Sequence, residues 1–498
     1  MKKILLFVLV MSTLNGFAQK AAKPEVYAKT ITPADLKKHL YIVASPEMEG
    51  RETATSGQRK AAAYLEAQFK ALGLEPGHNG SYQQNFPVYQ DSLVDAALEI
   101  NGKPFQLDKD FNASINNIPA TMRFSEVVFV GANSGDSLRN ANLAGRLVML
   151  VGAPQQAGGR GQGQGGIVGT LLSKGVVAII SVGTGYPRTT PLSRKGNQTV
   201  TGFRRNITPQ QFTVSENVAK AILGNDFDNA KTNASLIKTY TANILLDVKK
   251  TTNTLLSSNV IGVLTGTDKK DEYLVITAHY DHLGKRGDSV VYYGADDDGS
   301  GTVGVIEIAE AFVKAKAAGN GPRRTVVFMT VSGEEKGLWG SDYYSSHPAF
   351  PLDKTTANLN IDMIGRTDSS RKDGDSLNYV YVVGDDKLSS DLRTISEGVN
   401  KKYLKMELDY KFNDPNDRNR IYFRSDHYNF AKVGVPIIFY YDGMLGADYH
   451  RPTDTPDKIN YNLLAKRTQL VFHTAWEMAN RNEMVKRDIP LQVPLRSF

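Results

Sequence analysis

The chain of 498 residues contains no cysteine. That absence excludes a disulfide framework, a thiolate zinc site, a cysteine nucleophile and lipid attachment at a cysteine. Any metal held here must be held by His, Asp and Glu. No apolar run is long enough to span a bilayer, so membrane insertion is not expected. Asp and Glu are absent from Asn140 to Ser215, where Arg146, Arg160, Lys174, Arg188, Arg194, Lys195, Arg204 and Arg205 all lie. A solvated, solubilising surface is the ordinary reading of such a stretch, and a rim that attracts anionic peptides or cell-surface polymer is the sharper one. Histidine is missing between His78 and His279, so no metal ligand is expected from the intervening region.

What is present begins with an export signal. Lys2 and Lys3, the apolar run from Ile4 to Met11 and the small-x-small site Gly16-Phe17-Ala18 predict cleavage near residue 18 and a periplasmic or extracellular protein. The formal charge of +7 is a modest basic excess that argues nothing about fold, and nucleic acid is not an expected partner. The length predicts two domains, or one with a large insertion.

Helical spacing runs from Leu36 to Val43 and again from Ser56 to Leu72, where Gly73 is placed to stop it. Between them, Ser45 to Arg51 reads as a turn-rich acidic loop whose Glu47 and Glu49 are simply solvated. From about Asn112 to Asp247 the texture changes to short strands and glycine-rich loops, with strands predicted at Arg146 to Val151 and Val176 to Val182. Gly158 to Gly166, GGRGQGQGG, contains the G-x-G-x-x-G spelling of a dinucleotide site. The run is separated from its strand, however, and no acid follows before Glu216 to hold a ribose hydroxyl, so a surface loop is expected.

After Asn253 strands and helices alternate, the mark of an α/β sheet. Strands are predicted at Thr325 to Val331, Ala357 to Asp362, Tyr379 to Val383 and Pro436 to Tyr440, with a closing helix from Tyr461 to Arg481. The strand YLVITA delivers His279-Tyr280-Asp281, and three consecutive acids, Asp296, Asp297 and Asp298, follow in the turn GADDDGSG. A calcium loop would alternate its acids so that they converge on one ion, which these do not. Seen alone, the turn reads equally well as a solvated acidic loop. The strand TVVFMTV ends in Ser332-Gly333-Glu334-Glu335, and adjacent side chains at such a turn point in different directions. ANLNID ends in Asp362, and His450 lies in a loop before the last helix. Acids and histidines recur where open α/β sheets bind ligands, beyond the strand ends.

In their order, HYDHLG, GADDDGSGT, SGEEKGLWGS, NIDMIGR, FRSDHYNF and DYHRPTDT resemble the motifs of the M28 family of zinc peptidases, the two-zinc aminopeptidases. The resemblance implies a three-layer α/β/α domain with a mixed central sheet, built from 19–111 and 248–498. The segment 112–247 resembles a mainly β protease-associated (PA) insertion, expected to border the cleft without supplying a ligand. The resemblance further implies two zinc ions per chain, one held by His279 and Asp362, the other by Glu335 and His450, with Asp297 bridging. Glu334 would be the general base and Tyr449 an oxyanion donor. Asp281 would hydrogen-bond His279, Asp298 would support the site, and the Asp297–Asp298 peptide bond would be cis. Peptides are the expected substrates, cut by metal-activated water at the N-terminus. A carboxypeptidase is the main alternative, because Arg366, Arg420, Arg424 and Arg451 lie near site motifs. A glutaminyl cyclase-like enzyme or a non-catalytic binding protein would be expected to lack part of this residue set, which is complete.

Overall fold

The computed structural model describes residues 23–131, 135–151, 167–204, 206–414, 416–446 and 448–492. The segment expected to be an export signal and the glycine run Gly158 to Gly166 lie outside them. The chain divides into two compact units, Met1–Phe86 with Ser257–Phe498, and Pro87–Leu256. The second unit therefore starts earlier and ends later than the 112–247 read from the change in texture. The long strands Gln83–Ile100 and Ile237–Leu264 run across both boundaries, so composition changes inside an element and not between elements.

In the first unit the sheet uses the end of β1 (Ile237–Leu264), then β2 (Lys269–His279), β3 (Arg324–Val331), β4 (Thr355–Ile361), β5 (Tyr379–Val383), β6 (Glu407–Asp409) and β7 (Ile437–Tyr441). Their spatial order is 6-5-7-4-2-3-1; β3, β2, β4 and β7 run parallel, β1 is antiparallel to β3, and β5 is antiparallel to β7 but parallel to β6. β3 and β4 are buried along their whole length because both faces are covered, and the polar Asn358 and Asn360 among their residues bond to Thr277 and Ser425. Period-two alternation sends Leu274, Ile276, Val326 and Phe328 into one core, and Val275, Val327, Met329 and Val331 into the other. Helices α1 (Pro33–Val43), α2 (Ser56–Ala71), α3 (Gly301–Ala317) and α6 (Tyr461–Asn480) fill the first core, while α4 (Trp339–Ser346) and α5 (His427–Lys432) border the second. The result is a three-layer α/β/α unit with a mixed sheet.

One buried group in the helical layer sets a pH dependence. Glu307 on α3 faces inward, its Oε1 3.5 Å from His39 Nε2, and His39 Nδ1 lies 2.6 Å from Tyr64 Oη. Burial, with Glu310 and Asp35 adding, pushes the Glu307 carboxyl up to about 8 from 4.5. The folded chain thus keeps a proton that the unfolded chain loses, so stability falls as pH rises from 4.5 to about 8. Glu307→Gln is expected to flatten that window and to stabilise the chain at pH 9 by roughly 2–4 kcal/mol, read from denaturant unfolding at pH 5 and pH 9.

The second unit pairs Ala120–Val130, Leu147–Val151, Ala178–Val182 and Gln210–Val214 in parallel, with Phe111–Ala113 antiparallel at the end. It also carries the helices Gly135–Asn140, Ile167–Ser173, Glu216–Leu223 and Phe227–Thr232. Several cations of its acid-free stretch find acids outside that stretch: Arg146 pairs with Glu126, Arg194 with Asp108 and Arg204 with Asp91.

Candidate metal centre

The site is assembled at the carboxyl ends of three neighbouring strands. β2 lies between β3 and β4, with His279 opposite Val331 and Thr277 opposite Asn360. The residues just past the strand ends, Glu334 and Glu335 after β3 and Asp362 after β4, therefore emerge beside His279. The turn 295–300, between β2 and α3, brings Asp297 to the same point, and the loop before α6 brings His450.

Asp297 faces two imidazoles with its two oxygens. Oδ1 is 3.1 Å from His279 Nε2, which in turn is 3.5 Å from Asp362 Oδ1. Oδ2 is 3.2 Å from His450 Nε2, which is 3.0 Å from Glu335 Oε2. Ligands about 2.0–2.1 Å from one tetrahedral ion stand roughly 3.3 Å apart; the ligand atoms of His279, Asp297 and Asp362 all lie within 4.8 Å of one another, as do those of His282, Asp297 and Glu335, and His450 Nε2 stands against Asp297 and Glu335. His279 Nε2, Asp297 Oδ2 and Glu335 Oε1 are buried without a hydrogen-bond partner. Such orphaned atoms are costly unless a cation satisfies them. Electrostatics point the same way. Burial disfavours the charged form of His450, but Asp297 and Glu335 outweigh it and push the imidazole up to about 10. Burial likewise opposes charge on His279, yet Asp362 and Glu334 hold it well above its ordinary range. The carboxylates demand positive charge at both points, and the donor set of nitrogen and oxygen fits zinc.

The supporting residues are buried and saturated with bonds. Asp298 Oδ2 accepts from His279 N at 3.2 Å, and its Oδ1 accepts from Gly301 N at 2.8 Å and Met363 N at 3.1 Å. A Cβ at Gly301 would fall 2.5 Å from the Asp298 oxygens, so glycine is required there. The Asp297–Asp298 peptide bond is cis, as the resemblance implies. Asp281 departs from expectation. His279 Nδ1 meets the main-chain oxygen of Asp281 at 3.1 Å, while the carboxylate lies 3.7 Å away. That carboxylate is already engaged, accepting from Thr53 Oγ1 at 2.7 Å and Glu334 N at 3.2 Å. It holds the glutamate turn as well as the histidine loop.

Glu334 lies 3.9 Å from His279 Nε2. Burial raises its carboxyl well above the usual range; His279 opposes this and Asp362 reinforces it. Tyr449 stacks on His450 with ring centroids 3.9 Å apart, and its hydroxyl accepts from Arg424 Nη2 at 2.9 Å. Asp297, Glu334, Asp362, Arg424 and Tyr449 line one pocket together with Met363, Ile421, Phe439, Tyr441 and Leu445.

Four contributors escaped the reading of the sequence. Ser425 Oγ donates to Asp362 Oδ2 at 2.6 Å, and Asp454 Oδ2 accepts from Asp297 N at 3.2 Å. Both lie inside motifs already noted, FRSDHYNF and DYHRPTDT, which was the available signal. His282, the second histidine of HYDHLG, is fully buried beside Glu335. Arg51 is fully buried too, and no local pattern marks it: a cation ending an acidic loop reads as solvated.

Residues 259–475 match the model of peptidase family M28. The chain is 30% identical over 219 residues to a probable leucine aminopeptidase of Arthroderma otae, covering 43% of this chain and 56% of that protein. It is 32% identical over 119 residues to a probable zinc metalloprotease of Leptosphaeria maculans, covering 23% and 26%. The chain thus spans about half the length of the first of these relatives or less. An aminopeptidase from Aneurinibacillus sp. strain AM-1 shares the fold with a TM-score of 0.54 at 18% identity, covering 95% of this chain and 100% of that one. A zinc aminopeptidase from Bacillus subtilis does so with a TM-score of 0.51 at 18% identity, covering 91% and 96%. His279, Asp297, Glu335, Asp362 and His450 all lie within residues 259–475, the part of the chain that is similar to peptidase family M28.

Proposed function

We propose that the chain is an exported two-zinc aminopeptidase that removes N-terminal residues from peptides. The observation that carries this reading is Asp297, whose two oxygens each face a different histidine at 3.1 and 3.2 Å. A carboxylate so placed can bridge two ions. His279 and Asp362 would complete one position, Glu335 and His450 the other. When bound, the ions would supply Lewis-acid activation of water and of the scissile carbonyl. Glu334 would accept the proton of the attacking water and deliver it to the leaving amine. The Tyr449 hydroxyl, oriented by Arg424, would donate to the developing oxyanion. Met363, Ile421, Phe439, Tyr441 and Leu445 would receive an apolar side chain of the substrate. The unit Pro87–Leu256 we read as the PA-type insertion; every residue of the site lies in the first unit. Among the described residues no helix is long and apolar enough to cross a membrane.

Arg424 favours a second reading. Arg366 is neutralised by Asp448 at 3.0 Å, but Arg424 has no carboxylate within ion-pair distance among the described residues and lines the pocket. A free cation there could take a substrate carboxylate, as a carboxypeptidase requires. Hydrolysis of peptides with free or blocked termini, together with zinc analysis, separates the two. Cleavage that needs a free N-terminus and two zinc ions per chain is expected; cleavage that needs a free C-terminus would establish the alternative. Glu335→Gln should raise the zinc required for half-maximal activity by at least roughly 10-fold, measured by titrating zinc into the metal-free enzyme.

A further inference from the structure

We propose that His282 is a fourth protein ligand of the metal position formed by Asp297, Glu335 and His450. The proposal rests on the two-zinc reading above and adds a residue to it. His282 lies three positions after His279, and its ring is completely buried. Neither ring nitrogen has a hydrogen-bond partner. Nδ1 lies 2.8 Å from Glu335 Oε1, yet neither atom is aligned for a hydrogen bond to the other. His279 Nε2 shows the same condition, buried and unbonded with a carboxylate oxygen 3.1 Å away. A nitrogen and an oxygen that approach closely without a proton between them have lone pairs turned toward a shared point, and a cation is what satisfies both. Nδ1 is also 3.9 Å from Asp297 Oδ2, and ligand atoms of His282, Asp297 and Glu335 all fall within 4.8 Å of one another.

The fold holds the ring there. His282 N donates to Arg51 O at 3.3 Å. Gly294, at a left-handed φ of 55°, leaves the necessary space, because a Cβ on it would fall 2.5 Å from His282 Cγ. The ring meets His450 edge-on, with centroids 5.9 Å apart. With His282 the position would have two imidazoles and two carboxylates, one protein donor more than the His279 position, and zinc can expand to a fifth place for reacting groups. The His279 position has three protein ligands and keeps a place open for reacting groups. The Glu335 position should therefore be the last to lose zinc.

X-ray absorption at the zinc edge of the zinc-loaded wild-type chain tests this without any variant. Three imidazoles for every two zinc ions are expected. In a chelator titration, His282→Ala should weaken one of the two sites by more than the ~10–100-fold that loss of an outer hydrogen-bond partner costs. Circular dichroism of the metal-free variant checks that it folds. A wild-type chain that does not take up two zinc ions would overturn the two-zinc reading and this assignment with it. Two ions with only two imidazoles between them, or unchanged affinity in a folded His282→Ala, would overturn the His282 assignment alone.

Discussion

Glu334→Gln is expected to lower turnover by roughly 10²–10⁴ while both metal positions still fill, because that is the worth of a positioned general base. The amide keeps the shape of the side chain and cannot accept the proton. Glu334 and Glu335 are adjacent, but the structure turns them apart. Glu335 Oε2 is 3.0 Å from His450 Nε2, whereas Glu334 stands on the other side, 3.9 Å from His279 Nε2. Zinc content should be unchanged, and binding of substrate analogues nearly so, since the lost interaction belongs to the transition state. Steady-state kinetics with zinc analysis of both glutamine variants decides the matter. Loss of zinc in Glu334→Gln with retention in Glu335→Gln would reverse the two roles. Full activity in Glu334→Gln would remove the base from the mechanism.

Arg51→Ala is expected to be the most destabilising single change near the site, by about 4 kcal/mol or more. The fully buried guanidinium donates to four main-chain carbonyls: Tyr280 O at 2.6 Å, Val43 O at 2.8 Å, Tyr293 O at 2.7 Å and Gly294 O at 2.9 Å. Three of these lie on the two chain segments that present His279 and Asp297. Burial works against its charge, and Asp281, Asp454, Asp297 and Asp298 offset that cost. Removing the side chain leaves four acceptors unsatisfied at roughly 1–3 kcal/mol each, and takes a cation from beneath a cluster of acids. Arg51→Lys should recover only part, because an ammonium has three donors in place of a planar fork of five. Denaturant unfolding of the metal-free variants measures this, and an Arg51→Ala midpoint close to wild type would contradict it.

Strand position was readable from local sequence because burial on both faces requires it. TVVFMTV and ANLNID are unbroken runs of residues that survive without water on either side, and they form β3 and β4 within one or two residues of where they were read. Tyr379–Val383 matches at both ends. The short edge strand Glu407–Asp409 was not visible, since its three half-exposed residues carry no pattern. The acids and histidines at strand ends were also visible, because ligands of α/β sheets bind beyond the strand ends, although Asp385, at the end of β5, serves an ion pair with Arg393.

What lay beyond the sequence is how far-separated segments meet. Arg51 bonds to a carbonyl 229 residues away, so its burial depends on the chain returning to that point and not on its acidic neighbours. Asp281 looked like the carboxylate partner of His279, but tertiary structure spends that carboxylate on Thr53 and on the Glu334 amide. His282 carried no more signal than any second histidine until a turn without a side chain at Gly294 let its ring lie against Glu335. Residue types and strand ends are properties of a short window, governed by burial and spacing. Which atoms share a point in space is set by strand order and crossover, and those are properties only of the folded chain.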